Sequence, residues 1–336
     1  MIDLRSDTVT RPTPAMLQAM VSAPLGDDVM GDDPTVIQLQ AAVAERAGKA
    51  AGLFFPSGTQ SNLAALMAHC DRGDEYLVGQ LAHTYKYEGG GAAVLGSIQP
   101  QPIEHAEDGS LPLEKLAAAV KPQGDPHFAR TRLLALENTF HGKLIRAGYI
   151  QAATDWARKE NLATHLDGAR VFNAAVASGK PLADMCRPFD SVSICFSKGL
   201  GAPVGSVLVG SAELIARAHR WRKMLGGGLR QSGVLAAACL YALDHHVTRL
   251  AEDHENARAL AEGLRGIAGV KVLSQDTNML FVEFQPSRCD ALTEALGKEG
   301  ILMRAVYGGP TRLVTHLDVS ADDVRRVVQA VARHLA

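Results

Sequence analysis

Three short segments carry residue types that could share one reaction. The first is Ser197-Lys198-Gly199-Leu200-Gly201, which directly follows an apolar run at 191–196. An amine at a strand end, inside a glycine-rich turn, is placed to attack a carbonyl and form a Schiff base once it loses its proton. Read locally, it is equally a surface loop lysine. The second is His165-Leu166-Asp167-Gly168-Ala169-Arg170, closing the apolar run 162–166. A carboxylate at a strand's carboxyl end is a common ligand position in α/β sheets, and also a ready cap for the next helix. The third is Pro56-Ser57-Gly58-Thr59-Gln60, joining an apolar run to a helical stretch. Gly58 lets backbone N–H groups approach an anion and Thr59 adds a hydroxyl, so the turn is either a phosphate cradle or a plain helix cap. No Gly-Lys-Ser/Thr follows, so a nucleoside triphosphate is not indicated.

Each segment is ambiguous alone. Cradle, carboxylate and lysine in this order point jointly to pyridoxal 5′-phosphate. Its aldehyde needs the lysine, its ring nitrogen the carboxylate and its phosphate the cradle.

Positioning these groups requires a sheet. Short apolar runs at 53–56, 76–78, 92–95, 132–136, 162–166, 191–196 and 206–209 read as strands. Helical patterns at 60–70, 113–120, 149–160 and 169–177 alternate with them. That alternation predicts an α/β domain with a mostly parallel seven-stranded sheet. Asp167 and Lys198 are then one strand–helix–strand step apart, on one sheet edge. Beyond residue 210 the pattern changes to helices at 211–225 and 231–247 and a long amphipathic helix at 250–267. Strands at 271–273, 279–283 and 312–315 and helices at 290–298 and from Ala321 complete a smaller α+β unit. The division expected is 1–250 for a large cofactor-binding domain with an N-terminal arm, and 251–336 for a small domain. Pro12, Pro14, Pro24 and Pro34 make the first fifty residues read as loop.

The chain has 336 residues, room for roughly two domains at ~150 residues each. Its formal charge of −2 leaves no electrostatic footprint for nucleic acid. With 47% hydrophobic and 21% charged residues it is ordinary globular protein, not a disordered chain. Five cysteines, an odd number without close spacing, indicate neither a disulfide framework nor a metal site. The longest apolar run, 234–243, is too short to span a bilayer. Charges at Asp3 and Arg5 interrupt any secretory signal, so a soluble cytoplasmic protein is expected.

Several motifs make the chain recognisable. Asp7-Thr8-Val9-Thr10, Gly26-Asp27-Asp28-Val29, Pro56-Ser57-Gly58-Thr59, Asp167-Gly168-Ala169-Arg170, Ser197-Lys198-Gly199, Lys223-Met224 before Gly226-Gly227-Gly228, and Arg312-Leu313-Val314-Thr315-His316 occur in this order along nearly its whole length. In them the sequence resembles the low-specificity L-threonine aldolases. The resemblance implies the aspartate-aminotransferase-like fold (type I of the pyridoxal phosphate enzymes) and a homo-oligomer, a tetramer with active sites shared between subunits. It implies retro-aldol cleavage of L-threonine and L-allo-threonine to glycine and acetaldehyde.

Roles follow by motif. Lys198 would hold the cofactor covalently, and Asp167 would face its ring nitrogen. Gly58, Thr59 and Ser197 would hold its phosphate, with Lys223 and Arg230 reaching the phosphate of a neighbouring subunit. Arg170 would reach the cofactor's phenolic oxygen or the substrate carboxylate, which Ser6 and Arg312 would also grip. His83 would stack on the cofactor ring and His127 would lie near the substrate hydroxyl; either could handle protons. His165 would pack beneath the site, and His245-His246 would form a solvated helix face. No metal site is indicated.

Two departures from the family pattern stand out. Met30 occupies a position where many relatives carry tyrosine. Asn138-Thr139-Phe140-His141-Gly142-Lys143 replaces the more usual Asn-Thr-His-Asn-Gly-Lys. Two other reactions suit the same constellation, β-elimination and glycine hydroxymethyl transfer. A reading from another class is a non-catalytic regulatory protein that senses the cofactor, although no basic DNA-binding segment is visible.

Overall fold

Apolar runs become strands here where both of their faces are covered. The computed structural model describes residues 1–306 and 308–335. In chain order its strands are β1 (Ile2–Asp3), β2 (Ala51–Phe55), β3 (Asp74–Gly79), β4 (Gln99–Ile103), β5 (Arg130–Glu137), β6 (Ala163–Gly168), β7 (Ser191–Cys195), β8 (Ser206–Gly210), β9 (Val270–Asp276), β10 (Met279–Phe284), β11 (Ile301–Leu302) and β12 (Thr311–Val314). The large sheet has seven strands in the order β2-β8-β7-β6-β5-β3-β4. From β7 to β4 every neighbouring pair is parallel, while β8 runs antiparallel to both β7 and β2. β7 and β8 are buried at every residue, so they read as continuous apolar or small runs rather than alternations.

Parallel strands bring their carboxyl ends to one edge, where ligands bind in such sheets. β5 ends there in Glu137 and β6 in Asp167-Gly168, with Glu137 and Asp167 opposite one another in register. β7 leads directly into Ser197-Lys198, and β3 leads to His83 in the short helix His83–Lys86.

The smaller unit has its own core. β12, β10 and β9 form an antiparallel sheet. The helix Leu250–Arg265 spans the two cores: Leu250 packs in the large one, and Leu260, Ala261 and Leu264 in the small one. The N-terminal arm also crosses. β1 pairs in parallel with β11, and Ile2 and Leu4 are buried in the small core. No helix among the described residues is long and apolar enough to cross a membrane.

Two local expectations fail, and one strand goes unread. Residues 92–95 lie in a short helix, Gly91–Val94, rather than a strand. The edge strand is instead β4, which the sequence hid behind Pro100 and Pro102. β4 ends the sheet, and an edge strand tolerates residues that cannot donate to a ladder. The first fifty residues are not merely loop: Pro14–Val21 and Pro34–Ala47 are helices. Pro14 and Pro34 open them at the first helical position, where no N–H is needed. Thr13 and Asp33 cap them, Asp33 accepting from the N–H groups of Thr35 and Val36.

Candidate active site

Asp167 is the centre of the carboxyl edge and is buried. Its Oδ1 accepts the Ala169 N–H at 3.0 Å and its Oδ2 accepts the Asn62 amide at 3.0 Å. The same amide donates to Glu88 Oε1 at 2.9 Å. Asn62 is in turn held by His165, whose Nε2 lies 3.1 Å from Asn62 Oδ1 and whose Nδ1 lies 2.8 Å from Ser191 Oγ. His165 thus sits beneath the site, and burial holds it at about 3 and neutral.

His83 is fixed twice. Its backbone N–H donates to Glu137 Oε2 at 2.9 Å, and its Nδ1 is 2.8 Å from Glu88 Oε1. The Glu88 hydrogen bond raises the imidazole above its ordinary range, outweighing burial, with Asp167 adding to the rise. Burial, helped by Asp167, raises Glu88 and Glu137 as well. His83, Glu88 and Asp167 offer ligand atoms within 4.8 Å of one another. The Asn62 N–H groups between the two carboxylates make this a hydrogen-bonded cluster rather than a cation shell.

Arg170 follows β6 and forks onto Asp7 from the N-terminal arm, Nε to Oδ2 at 2.7 Å and Nη2 to Oδ1 at 2.6 Å. Asn278 adds a bond to Asp7 Oδ2 at 3.2 Å. Burial alone would raise Asp7. The Arg170 guanidinium, the Lys198 charge and the Asn278 bond outweigh it and hold the carboxyl at about 2. Asp7→Asn leaves a buried guanidinium without its counter-charge, a loss of about 3–5 kcal/mol. Because the folded value lies below the unfolded value of ~3.9, the pair's contribution is complete above that pH. It disappears as pH falls from about 4 to about 2. Urea unfolding across that window should show a fall in the parent protein that the variant lacks.

The phosphate cradle opens the helix Gly58–His69. Ser57 caps it by accepting the Gln60 N–H at 3.2 Å. A Cβ on Gly58 would stand 2.6 Å from Cys195 Sγ, so only glycine brings this turn against the end of β7. The Ser57 side chain is spent on the cap, and the free N–H groups of the first turn remain for an anion. Lys198 is positioned by its backbone: its carbonyl accepts from Thr10 Oγ1 at 3.0 Å and from the Gly201 N–H at 2.8 Å. His246 braces the same loop, its Nδ1 2.7 Å from the Leu200 carbonyl. The expectation of a solvated pair therefore holds only for His245, since His246 is buried against the loop that carries the lysine.

In front of these groups lies a cavity of about 340 Å³. His83, Tyr87, Glu137, His141, Arg170 and Arg312 line it. Arg312, on β12, faces it from the small unit and also donates to the Arg5 carbonyl at 3.3 Å. The cradle, Asp167 and the Lys198 charge beside Asp7 and Glu137 fit pyridoxal phosphate as a donor set.

Other expected residues lie elsewhere in the single chain. His127 is exposed and bonded to Asp125 at 2.7 Å. It precedes Arg130, the first residue of β5, and so sits at the amino edge of the sheet. The length of β5, about 25 Å, separates it from the pocket. Lys223 is exposed at the end of the helix Ala212–Met224, and Arg230 is exposed and pairs with Asp27 at 3.0 Å. The loop between them bonds to the cradle helix through Gln60 Nε2 and the Leu225 carbonyl at 3.0 Å. Ser6 adjoins Asp7, its Oγ accepting from Thr8 Oγ1 at 2.9 Å.

The sequence alone does not single out Asp7, Asn62, Glu88 or Glu137 for roles at the site. Of the four, only Glu137 carries a local signal, as a carboxylate closing an apolar run in the same way as Asp167.

The profile of the beta-eliminating lyase family matches residues 3–287. The low-specificity L-threonine aldolase of Escherichia coli strain K12 is 58% identical over 97% of this chain and 97% of its own. The probable low-specificity L-threonine aldolase 2 of Arabidopsis thaliana is 45% identical over 97% of this chain and 95% of its own. Among solved structures, the threonine aldolase of Leishmania major superposes with a TM-score of 0.84 at 22% identity, covering 100% of both chains. The fold is that of the type I pyridoxal phosphate enzymes. The chain belongs to the family of the low-specificity L-threonine aldolases, within the beta-eliminating lyases.

Proposed function

We propose that this protein cleaves L-threonine and L-allo-threonine to glycine and acetaldehyde with pyridoxal 5′-phosphate as cofactor. The observation that carries the reading is one cavity, lined by Arg312 of β12, Arg170 of the turn after β6, His83 and Glu137, at the carboxyl edge of the sheet where β6 ends in Asp167. Bound there, the cofactor supplies an electron sink for breaking bonds at Cα.

The chain's own residues do the rest. Lys198 Nζ would hold the cofactor covalently. Gly58, Thr59 and Ser197 hold its phosphate at the helix N-terminus. Asp167 keeps a proton on the ring nitrogen, which favours charge flowing into the ring. His83, its Nδ1 committed to Glu88, would pack against the bound cofactor. Arg312 and the free edge of Arg170 grip the substrate carboxylate, with Ser6 beside them. That grip would fix the orientation of the substrate's Cα within the cavity.

Arg312→Lys tests the grip. Lysine cannot form the two parallel bonds of a guanidinium fork. KM for L-threonine should rise about tenfold or more, the worth of one bond to a charged group, with kcat changed less. Initial rates over a substrate series measure both.

We further propose a homotetramer whose active sites are shared. His127, Lys223 and Arg230 are solvent-exposed in one chain, and only a second copy could bring His127 to a pocket. The location proposed is the cytoplasm.

The decisive experiment measures acetaldehyde release from both threonine epimers by purified protein with added pyridoxal phosphate. Cofactor-dependent release supports the retro-aldol reading. 2-Oxobutyrate and ammonia instead of acetaldehyde would move the function to β-elimination on the same fold.

A further inference from the structure

The segment Phe140–Lys143 closes a two-residue hairpin. The Phe140 N–H donates to the Lys143 carbonyl at 3.0 Å, and the Lys143 N–H donates back to the Phe140 carbonyl at 2.8 Å. At the tip, His141 and Gly142 have φ of 49° and 82°. Positive φ at both central positions defines a type I′ turn, and histidine is among the few side chains enriched in that region.

The turn is pinned to the small unit. Thr277 Oγ1 donates to the Gly142 carbonyl at 2.8 Å. A Cβ on Gly142 would lie 2.9 Å from Met279 Cβ. The His141 ring stands between Phe140, with centroids 4.4 Å apart, and Phe281, at 5.8 Å and 24°. Phe281 is the register partner of Arg312. The backbone therefore aims the imidazole into the cavity that His83, Arg170 and Arg312 also line.

We propose that His141 is a further catalytic residue: its imidazole hydrogen-bonds the substrate's β-hydroxyl and accepts that proton as Cα–Cβ breaks. This rests on the retro-aldol reading above. With the carboxylate on Arg170 and Arg312 and the amine toward Lys198, the β-carbon faces the rest of the lining; His83 Nδ1 is committed to Glu88 there, and of Leu81, Tyr87, His141 and Met279 only His141 carries an imidazole.

The two pocket histidines have opposite surroundings. Glu88 favours the charged form of His83. Burial disfavours charge on His141, and the cations facing it from β12, the turn itself and both flanking segments (Arg312, Lys86, Lys143 and Arg170) add to that. His105, stacked on Phe140 at 4.1 Å, is itself lowered to about 4 by burial and by His141, and so adds no counter-charge. Groups pushed apart in this way divide the acid and base roles.

In the step, the O–H electron pair becomes the second C=O bond of acetaldehyde. The Cα–Cβ pair stays with Cα and is taken up by the bound cofactor. The proton rests on His141 until it is returned through water to Cα, and glycine leaves with the imidazole neutral.

His141→Asn is the informative variant, because Asn-Gly is the preferred type I′ pair and keeps the turn. The expected result is a fall in kcat of about 10²-fold and loss of the acidic limb that a neutral imidazole imposes on the pH profile. A changed rate ratio between L-threonine and L-allo-threonine should accompany it, because a turn-fixed ring reaches the two hydroxyl orientations unequally. The thermal midpoint and the visible absorbance of bound cofactor should not move. Independently, proton NMR of the apoprotein should show one ring resonance, absent in the variant, whose titration shifts upward in Arg312→Gln.

A kcat within about twofold of the parent overturns the proposal. So does a fall in kcat with pH profile and epimer ratio unmoved, or a ring titration indifferent to Arg312→Gln. The NMR result stands even if His141→Asn fails to fold, since ring assignment can then use His141→Gln. A parent protein that releases no acetaldehyde from either epimer overturns the functional reading and this proposal together. An active parent matched by its variant overturns this proposal alone.

Discussion

Lys198→Ala should reduce acetaldehyde release from L-threonine by at least about 10³-fold, a barrier increase of roughly 4 kcal/mol or more. The expectation follows from where the amine stands. Lys198 is held at the end of β7, where its charge acts on Asp7 and Glu137. Lys86 and Lys143, the other lysines that act on the pocket, reach it from the His141 side. Neither occupies the end of β7, so neither can substitute. The substitution also leaves the loop intact. What holds it is backbone: the Lys198 carbonyl with Thr10 and Gly201, the Ala202 N–H to the Phe196 carbonyl, and His246 on Leu200. The thermal midpoint should therefore correspond to a change within about 1 kcal/mol. Lost activity with an unchanged midpoint, together with loss of the absorbance of lysine-bound cofactor, would establish the covalent role. Residual activity above about one per cent of the parent would reject it.

Asp167→Asn should separate catalysis from cofactor binding. The amide retains an acceptor for the Ala169 N–H but turns an NH2 group toward the Asn62 amide, where the carboxylate had accepted. It also removes the charge that favours a proton on the ring nitrogen. The expected fall in kcat is about 10²–10³-fold, the scale for losing one preorganised electrostatic contact. Cofactor affinity, followed by visible titration, should fall far less, because the phosphate cradle at Gly58 and Thr59 belongs to a different element. A second readout has a definite sign. Asp167 raises His83, Glu88 and Glu137, so in the variant all three titrate lower. The limb of the pH–rate profile belonging to His83 should move to lower pH. A variant with parent-like kcat, or one that loses cofactor and activity in equal measure, would contradict this division of roles.

Both expectations rest on residues legible in the amino-acid sequence. Lys198, Asp167 and the Gly58–Thr59 turn each close or follow an apolar run. A strand's end is a property of local sequence, and parallel strands then force those ends to one edge. The same logic identifies the sheet, because runs buried on both faces leave an unmistakable apolar signature. It fails at β4, where edge position excuses Pro100 and Pro102 from the ladder. It fails again where Pro14 and Pro34 begin helices rather than loops. Local sequence does not state which edge or which helix turn a proline will occupy.

What only the tertiary structure decided is the partnership of charges. Asp7 and Arg170 are 163 residues apart and meet in a fork. Asn62 joins Asp167 across 105 residues and Glu88 across 26. His127 is on the far edge of the sheet, and His246 is buried under the lysine loop. Periodicity reports how deeply a residue is buried, one element at a time. It does not report which buried group lies opposite, because that is set by crossing connections and by the small unit closing over the sheet. The lysine, the carboxylate and the glycine turn at strand ends were therefore readable from the chain, whereas Asp7, Asn62, Glu88 and Glu137 were not. The hydrogen bonds of the site, its charge states and the aim of His141 arose only when distant segments packed together.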